Sequence, residues 1–158
     1  MEKLTGLKKI KTAVFISGRG SNLNNLIKFS KTKKSPIIID LVVSNKKAFG
    51  LKYANQYKIK KKIIDFKKNK IAEKNCLIIL NKRNIEFICL AGFMKILSNN
   101  FIKKIKGKII NIHPSYLPKY KGLNTSVRAL KNNEKFSGCT VHYVSAKLDS
   151  GKIILQKK

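Results

Sequence analysis

Thr12-Ala13-Val14-Phe15-Ile16-Ser17-Gly18-Arg19-Gly20-Ser21-Asn22-Leu23-Asn24-Asn25-Leu26-Ile27 is the stretch that decides the architecture. Its first six residues are an apolar run without alternation, the pattern of a strand covered on both faces of a parallel sheet. Gly18 to Asn22 form a small-residue turn. Leu23, Leu26 and Ile27 then recur at i, i+3 and i+4, the spacing of an amphipathic helix. A strand, a glycine-rich turn and a helix make the first unit of an α/β layer structure.

The same alternation continues along the chain. Strands are predicted over 37–44, over 59–65 more weakly, over 87–91, from Ile109 onward, over 140–144 and over 153–155. Helices are predicted over 49–56, over 70–84, around Phe101, Ile102 and Ile105 after the segment 93–97 that Gly92 opens, and over 127–130. Residues 1–11 read as a polar lead-in. The expectation is one domain over 1–158, an α/β fold with an open, mostly parallel, doubly wound sheet and helices on both faces.

A chain of 158 residues with 43% hydrophobic content can bury a real core. Asp40 interrupts the longest apolar run, far short of the roughly 18–20 residues of a membrane span. The N-terminus lacks the apolar region of a secretory signal, so a cytoplasmic protein without membrane contact is expected. The three cysteines, Cys76, Cys89 and Cys139, are widely spaced and read as small core hydrophobes, with no disulfide framework or metal site indicated. The 36 Lys and Arg outweigh the 7 Asp and Glu, giving a net charge of +29. Such a charge favours polyanionic partners in general. Here the lysines are spread over nearly every loop and helix, as Lys-, Asn- and Ile-rich coding would leave them, so nucleic acid is a disfavoured partner.

Three groups carry candidate chemistry. Gly20, Ser21 and Asn22 stand where a helix N-terminus presents unpaired N–H groups, a place for an anion. The turn lacks the third glycine of a dinucleotide fingerprint and the Gly-Lys-Ser/Thr of a P-loop, so a phosphate monoester fits better than NAD or ATP. The plainer reading makes Ser21 an ordinary helix cap. In Asn111-Ile112-His113-Pro114-Ser115-Tyr116-Leu117-Pro118, strand alternation sends Asn111 and His113 to one face, at a strand exit stiffened by two prolines. An amide and an imidazole together can donate to one oxyanion. Asp149, on a turn between two late strands, either binds its own backbone or stands beside His113, orients the imidazole and favours its protonated form. His142 could border the same pocket but, for want of a partner in sequence, reads as structural.

Residues 15–23, Leu90-Ala91-Gly92-Phe93-Met94-Lys95-Ile96-Leu97, Asn111-Ile112-His113-Pro114-Ser115 and Leu148-Asp149-Ser150-Gly151 resemble, in order, the phosphoribosylglycinamide formyltransferase family. That resemblance implies a Rossmann-like fold and transfer of a formyl group from 10-formyltetrahydrofolate to the amine of glycinamide ribonucleotide. It implies phosphate binding by Gly20, Ser21 and Asn22, and a catalytic trio of Asn111, His113 and Asp149. It further implies folate contacts from Asn69, Met94, Lys95, Ile96, Leu97, Asn111, Ser145, Ala146, Lys147, Leu148 and Asp149, with no metal. Against the family pattern, Asn69 stands where an arginine is frequent, Ser150 replaces a glycine, and family members usually continue past the strand that here precedes Lys158. Formyl transfer to an aminoacyl-tRNA, or a reduced relative that binds nucleotide or RNA without turnover, are the alternatives. Oligomeric state is left open.

Overall fold

Apolar side chains at consecutive positions of a strand demand cover on both faces, and the computed structural model, which describes residues 8–158, supplies it. Seven of the lead-in residues, 1–7, lie outside the described residues. The described elements run β1 (Ile10–Ile16), α1 (Ser21–Ser30), β2 (Ile37–Ser44), α2 (Leu51–Gln56), β3 (Lys60–Ile63) and α3 (Asn69–Lys82). They continue with β4 (Phe87–Leu90), α4 (Asn99–Lys104), β5 (Lys108–His113), α5 (Thr125–Lys131), β6 (Cys139–Tyr143) and β7 (Ile153–Lys157). One sheet holds all seven strands in the order β3-β2-β1-β4-β5-β6-β7. Pairings from β3 through β5 are parallel; β6 and β7 join antiparallel.

Alternation within β1 builds the two cores. Ala13 and Phe15 meet Ala72, Cys76 and Leu80 of α3 and Phe101 of α4, while Val14 and Ile16 meet Leu23 and Ile27 of α1 and Leu51 and Ala54 of α2. In β2 a bulge shifts this alternation: Thr12 pairs with Ile39 and Ala13 with Leu41, leaving Asp40 between them. Ile37 and Ile39 therefore share a core with Val42, and Leu41 joins the opposite one with Val43. The Asp40 carboxylate accepts from Arg83 Nε at 2.5 Å. The charge that interrupts the apolar run marks the bulge.

Two predicted boundaries differ. β1 begins at Ile10, inside the lead-in, because residues 10–12 pair with Ile37–Ile39 of β2, a tertiary preference no local pattern records. The helix expected around Phe101, Ile102 and Ile105 is α4, which ends one residue short of Ile105, and residues 93–98 ahead of it are irregular. Gly92 turns at φ +74°, and Ser98 caps α4 by accepting from Phe101 N at 3.1 Å. Phe93 and Leu97 anchor a loop to the core rather than a helix face. The Phe93 ring sits edge-on to both Phe15 and Phe66, at 5.3 Å each.

The strand order reverses at β1, since β2 and β3 build outward on one side and β4 returns on the other. The crevice at the carboxyl ends of β1 and β4 is where such sheets bind ligands. Among the described residues, no helix is long and apolar enough to cross a membrane.

Cys76 and Cys89 are buried, as read from the sequence, and burial pushes both thiols up to about 12. Cys139 departs from that reading: at the exposed start of edge-proximal β6, it faces solvent. A colourimetric thiol reagent should titrate one fast thiol in the native protein and two more only on unfolding. Three fast thiols would contradict this core.

Candidate active site

β5 carries Asn111 and His113 to one face at its carboxyl end, while Ile110 packs into the core on the other side. Antiparallel β6 sets His142 directly opposite Asn111 and Thr140 opposite His113. The turn from β6 to β7 then brings Asp149, at φ +44°, against both. Asp149 Oδ2 lies 3.5 Å from His113 Nδ1, and Oδ1 lies 3.7 Å from His142 Nε2 and 3.5 Å from Asn111 Nδ2. Gly122 N donates to Oδ2 at 2.8 Å. Of the two readings of Asp149, the one that sets it beside His113 is the one the fold realises.

Hydrogen-bond partners assign the rings. His142 Nδ1 donates to the Tyr143 carbonyl at 2.9 Å, which leaves Nε2 to accept from Asn111 Nδ2 at 3.2 Å. One amide N–H of Asn111 is thereby committed, and the other has only the 3.5 Å approach to Asp149. His113 Nε2 donates to the Tyr120 carbonyl at 2.9 Å, so its Nδ1 is the ring atom turned towards Asp149.

The proline loop is held by polar ties. Ser115 Oγ donates to the Lys119 carbonyl at 2.6 Å, and Thr140 Oγ1 donates to the Ser115 carbonyl at 2.7 Å. Glu134 accepts from Lys119 Nζ at 2.8 Å and from the Tyr120 hydroxyl at 2.9 Å. These bonds hold the Glu134 carboxyl below the usual carboxylate range, Lys119 being the larger cause, and raise Lys119 in turn. Tyr120, at φ +56°, is thus fixed from its side chain while its carbonyl holds His113.

A cleft of about 610 Å³ opens over this cluster. Its walls are residues 92–96, residues 111–114, the loop 122–125, and Leu148 with Asp149. Met94, Lys95 and Ile96 line it together with Asn111 and His113. Leu97 and Ser145 line a crevice of about 70 Å³ beside it, together with His142. Asn69 reaches from α3 to the Ile96 carbonyl at 3.4 Å. Ala146 and Lys147 are exposed on the β6–β7 turn and line neither space.

The Gly20 turn stands outside the cleft lining but is tied to it. Ser17 N donates to the Gly92 carbonyl at 3.1 Å, and Met94 N donates to Ser17 Oγ at 2.8 Å. Gly20, at φ +79°, occupies the N-cap position of α1, so Ser21 is the first helical residue and not the cap. No acidic residue lies in that first turn. Gly50 packs against the turn: its N–H donates to the Gly18 carbonyl at 3.0 Å.

Sequence reasoning missed Tyr120, Gly122 and Gly50, which act through backbone atoms that any residue name conceals. It also left His142 without partners, because those partners come across a strand pair joined by a long excursion. Ser150, the departure from glycine, is accommodated. Its hydroxyl donates to the Leu148 carbonyl at 2.8 Å and receives Lys121 Nζ at 2.5 Å.

The profile of the family described as "Formyl transferase" matches residues 10–158. The human trifunctional purine biosynthetic protein adenosine-3 is 44% identical over 154 residues, covering 95% of this chain and 15% of that protein. Phosphoribosylglycinamide formyltransferase of Haemophilus influenzae is 42% identical over 156 residues, covering 96% of this chain and 73% of that one. The crystal structure of phosphoribosylglycinamide formyltransferase from Anaplasma phagocytophilum superposes with a TM-score of 0.88 at 43% identity, covering 94% of this chain and 71% of that one. The chain thus spans 15% of the length of the trifunctional relative and less than three quarters of the bacterial one.

A Cβ on Gly20 would stand 2.6 Å from Gly50 Cα, and one on Gly18 would meet nothing within 4 Å. Gly20→Ala should lower unfolding free energy by at least about 1–2 kcal/mol, and Gly18→Ala by less than about 0.5 kcal/mol, in urea denaturation. Equal effects would show that the turn tolerates displacement.

Proposed function

This chain belongs to the formyl transferase family, and from that membership and the cleft geometry we propose that it transfers a formyl group from 10-formyltetrahydrofolate to the amine of glycinamide ribonucleotide. In this reading it acts as one cytoplasmic formyltransferase domain. The observation that carries it is the joining of Asn111, His113 and Asp149 in the lining of one cleft with the loop 92–96.

The chemistry follows from those atoms. The amine lone pair attacks the formyl carbon, the carbonyl electron pair moves to oxygen, and a tetrahedral oxyanion forms. Its stabilisation needs donors already in place. The second N–H of Asn111 makes only a long approach to Asp149 and is available to that oxygen, while His142 holds the amide plane in place. His113 supplies the other donor from Nδ1 when the ring carries both protons, Nε2–H being held by the Tyr120 carbonyl. Collapse breaks the bond between the formyl carbon and the folate nitrogen. That nitrogen gains a proton, the amine loses one, and His113 with Asp149 is the pair placed to carry it.

Binding divides between two places. Gly20, Ser21 and Asn22 take the nucleotide phosphate on the open N-terminus of α1. Met94, Lys95, Ile96 and Leu97, with Asn69 behind them and Ser145, Leu148 and Asp149 beside them, take the folate. The tie from Ser17 to Gly92 and Met94 fixes the distance between the two.

Mixing the protein with 10-formyltetrahydrofolate and glycinamide ribonucleotide should release deformylated folate, followed by absorbance. Absence of turnover at micromolar enzyme, with both ligands bound, would leave a binding protein; RNA binding that weakens steeply with salt would mark the polyanion alternative. His113→Ala and Asn111→Ala should each lose on the order of 10²-fold or more in kcat, as loss of an oxyanion donor does. Rates like those of the unsubstituted protein in both variants would remove these roles.

A further inference from the structure

Glu73 stands where α3 should carry an apolar residue. It shares a face with Cys76 and Leu80, three and seven positions on, and is only 5% exposed. A carboxylate there is costly unless it is fully hydrogen-bonded. Both oxygens are used: Oε1 accepts from Ser98 N at 2.7 Å and Oε2 from Ser98 Oγ at 2.5 Å. Ser98 Oγ in turn accepts from Phe101 N, capping α4. The negative charge is therefore delivered, through one serine, to the positive end of a helix dipole.

Ser98 is also the end of the irregular segment that begins at Gly92. That segment has no ladder or helix bonds of its own, so its shape depends on where it is fastened. It is fastened at the start by Ser17, to the Gly92 carbonyl and to Met94 N. It is fastened at the end by α3, through Asn69 to the Ile96 carbonyl and Glu73 to Ser98. Met94 and Ile96, between the fastenings, are 60% and 63% exposed and face the cleft. Glu73 touches no part of the cleft itself.

We propose that Glu73 is a positioning residue for the formyl donor: through Ser98 it sets the shape of the wall 92–96, and so the donor's affinity, without taking part in the transfer. This rests on the reading that the wall faces the folate. Glu73→Gln keeps the side-chain volume and one acceptor but replaces the second with a donor aimed at Ser98 Oγ. Ser98→Ala removes the other half of the same contact.

Glu73→Gln should raise KM for 10-formyltetrahydrofolate on the order of tenfold. It should leave kcat and KM for glycinamide ribonucleotide within about twofold. Ser98→Ala should do the same, and the double variant should be no worse than the poorer single one. Equal losses in kcat and in both KM values, or a KM for the donor that does not move, would overturn the proposal. Tetrahydrofolate binding, followed by protein fluorescence, separates the two readings. If the unsubstituted protein binds tetrahydrofolate and Glu73→Gln binds it equally, the positioning role falls and the functional reading stands. If the unsubstituted protein neither binds nor turns over, the functional reading falls. Hydrogen exchange then still decides the strut: Glu73→Gln must speed exchange at Met94 and Ser98, and unchanged rates would remove it.

Discussion

A carboxylate held inside a protein must be surrounded by donors, and the carboxyl end of this sheet is arranged around that demand at Asp149. A backbone N–H from the loop at Gly122 donates to it, the His113 ring and the Asn111 amide of β5 approach to 3.5 Å, and the His142 ring of β6 lies 3.7 Å away. Three separate segments have to meet there. The antiparallel addition of β6 to an otherwise parallel sheet makes this possible, because it runs His142 back past Asn111, and the segment between β6 and β7 folds Asp149 onto that pair.

The other half of the cleft depends on the parallel half of the fold. Reversal of strand order at β1 leaves the loops after β1 and β4 side by side, and Ser17 joins them. The Gly20 turn and the wall 92–96 are therefore one rigid unit at their roots, although they present different surfaces. A reaction that joins two substrates gains from such a link, since separation errors of about 1 Å between bound groups cost large factors in rate.

How much of this could be read from residues alone follows from the range of the forces. Periodicity is local, and it located every strand and all the helices that pack on the sheet. Asn111 and His113 were legible as a pair because two residues along a strand is a fixed geometry. Asp149 could be suspected but not placed, since its partners depend on the β6 register. The shape of residues 92–98 was not legible in the same way. Phe93 and Leu97 anchor to the core a segment turned by Gly92, and a pattern of apolar residues does not say which backbone carries them.

The charge composition carries a last inference of its own. The chain has only 7 acids, and five of them hold side-chain bonds at particular places. Asp40 holds Arg83 at the bulge of β2, Asp65 accepts from Lys67 N, Glu73 fastens Ser98, Glu134 braces Lys119 and Tyr120, and Asp149 gathers the site. Every one of these bonds fixes a turn, a bulge or a loop rather than the middle of a strand. In a protein of net charge +29, long-range repulsion works against the compact state everywhere. The places where it is locally reversed are the places where the backbone leaves regular structure. Three of the five, at Glu73, Glu134 and Asp149, hold segments that border the cleft or the residues behind it.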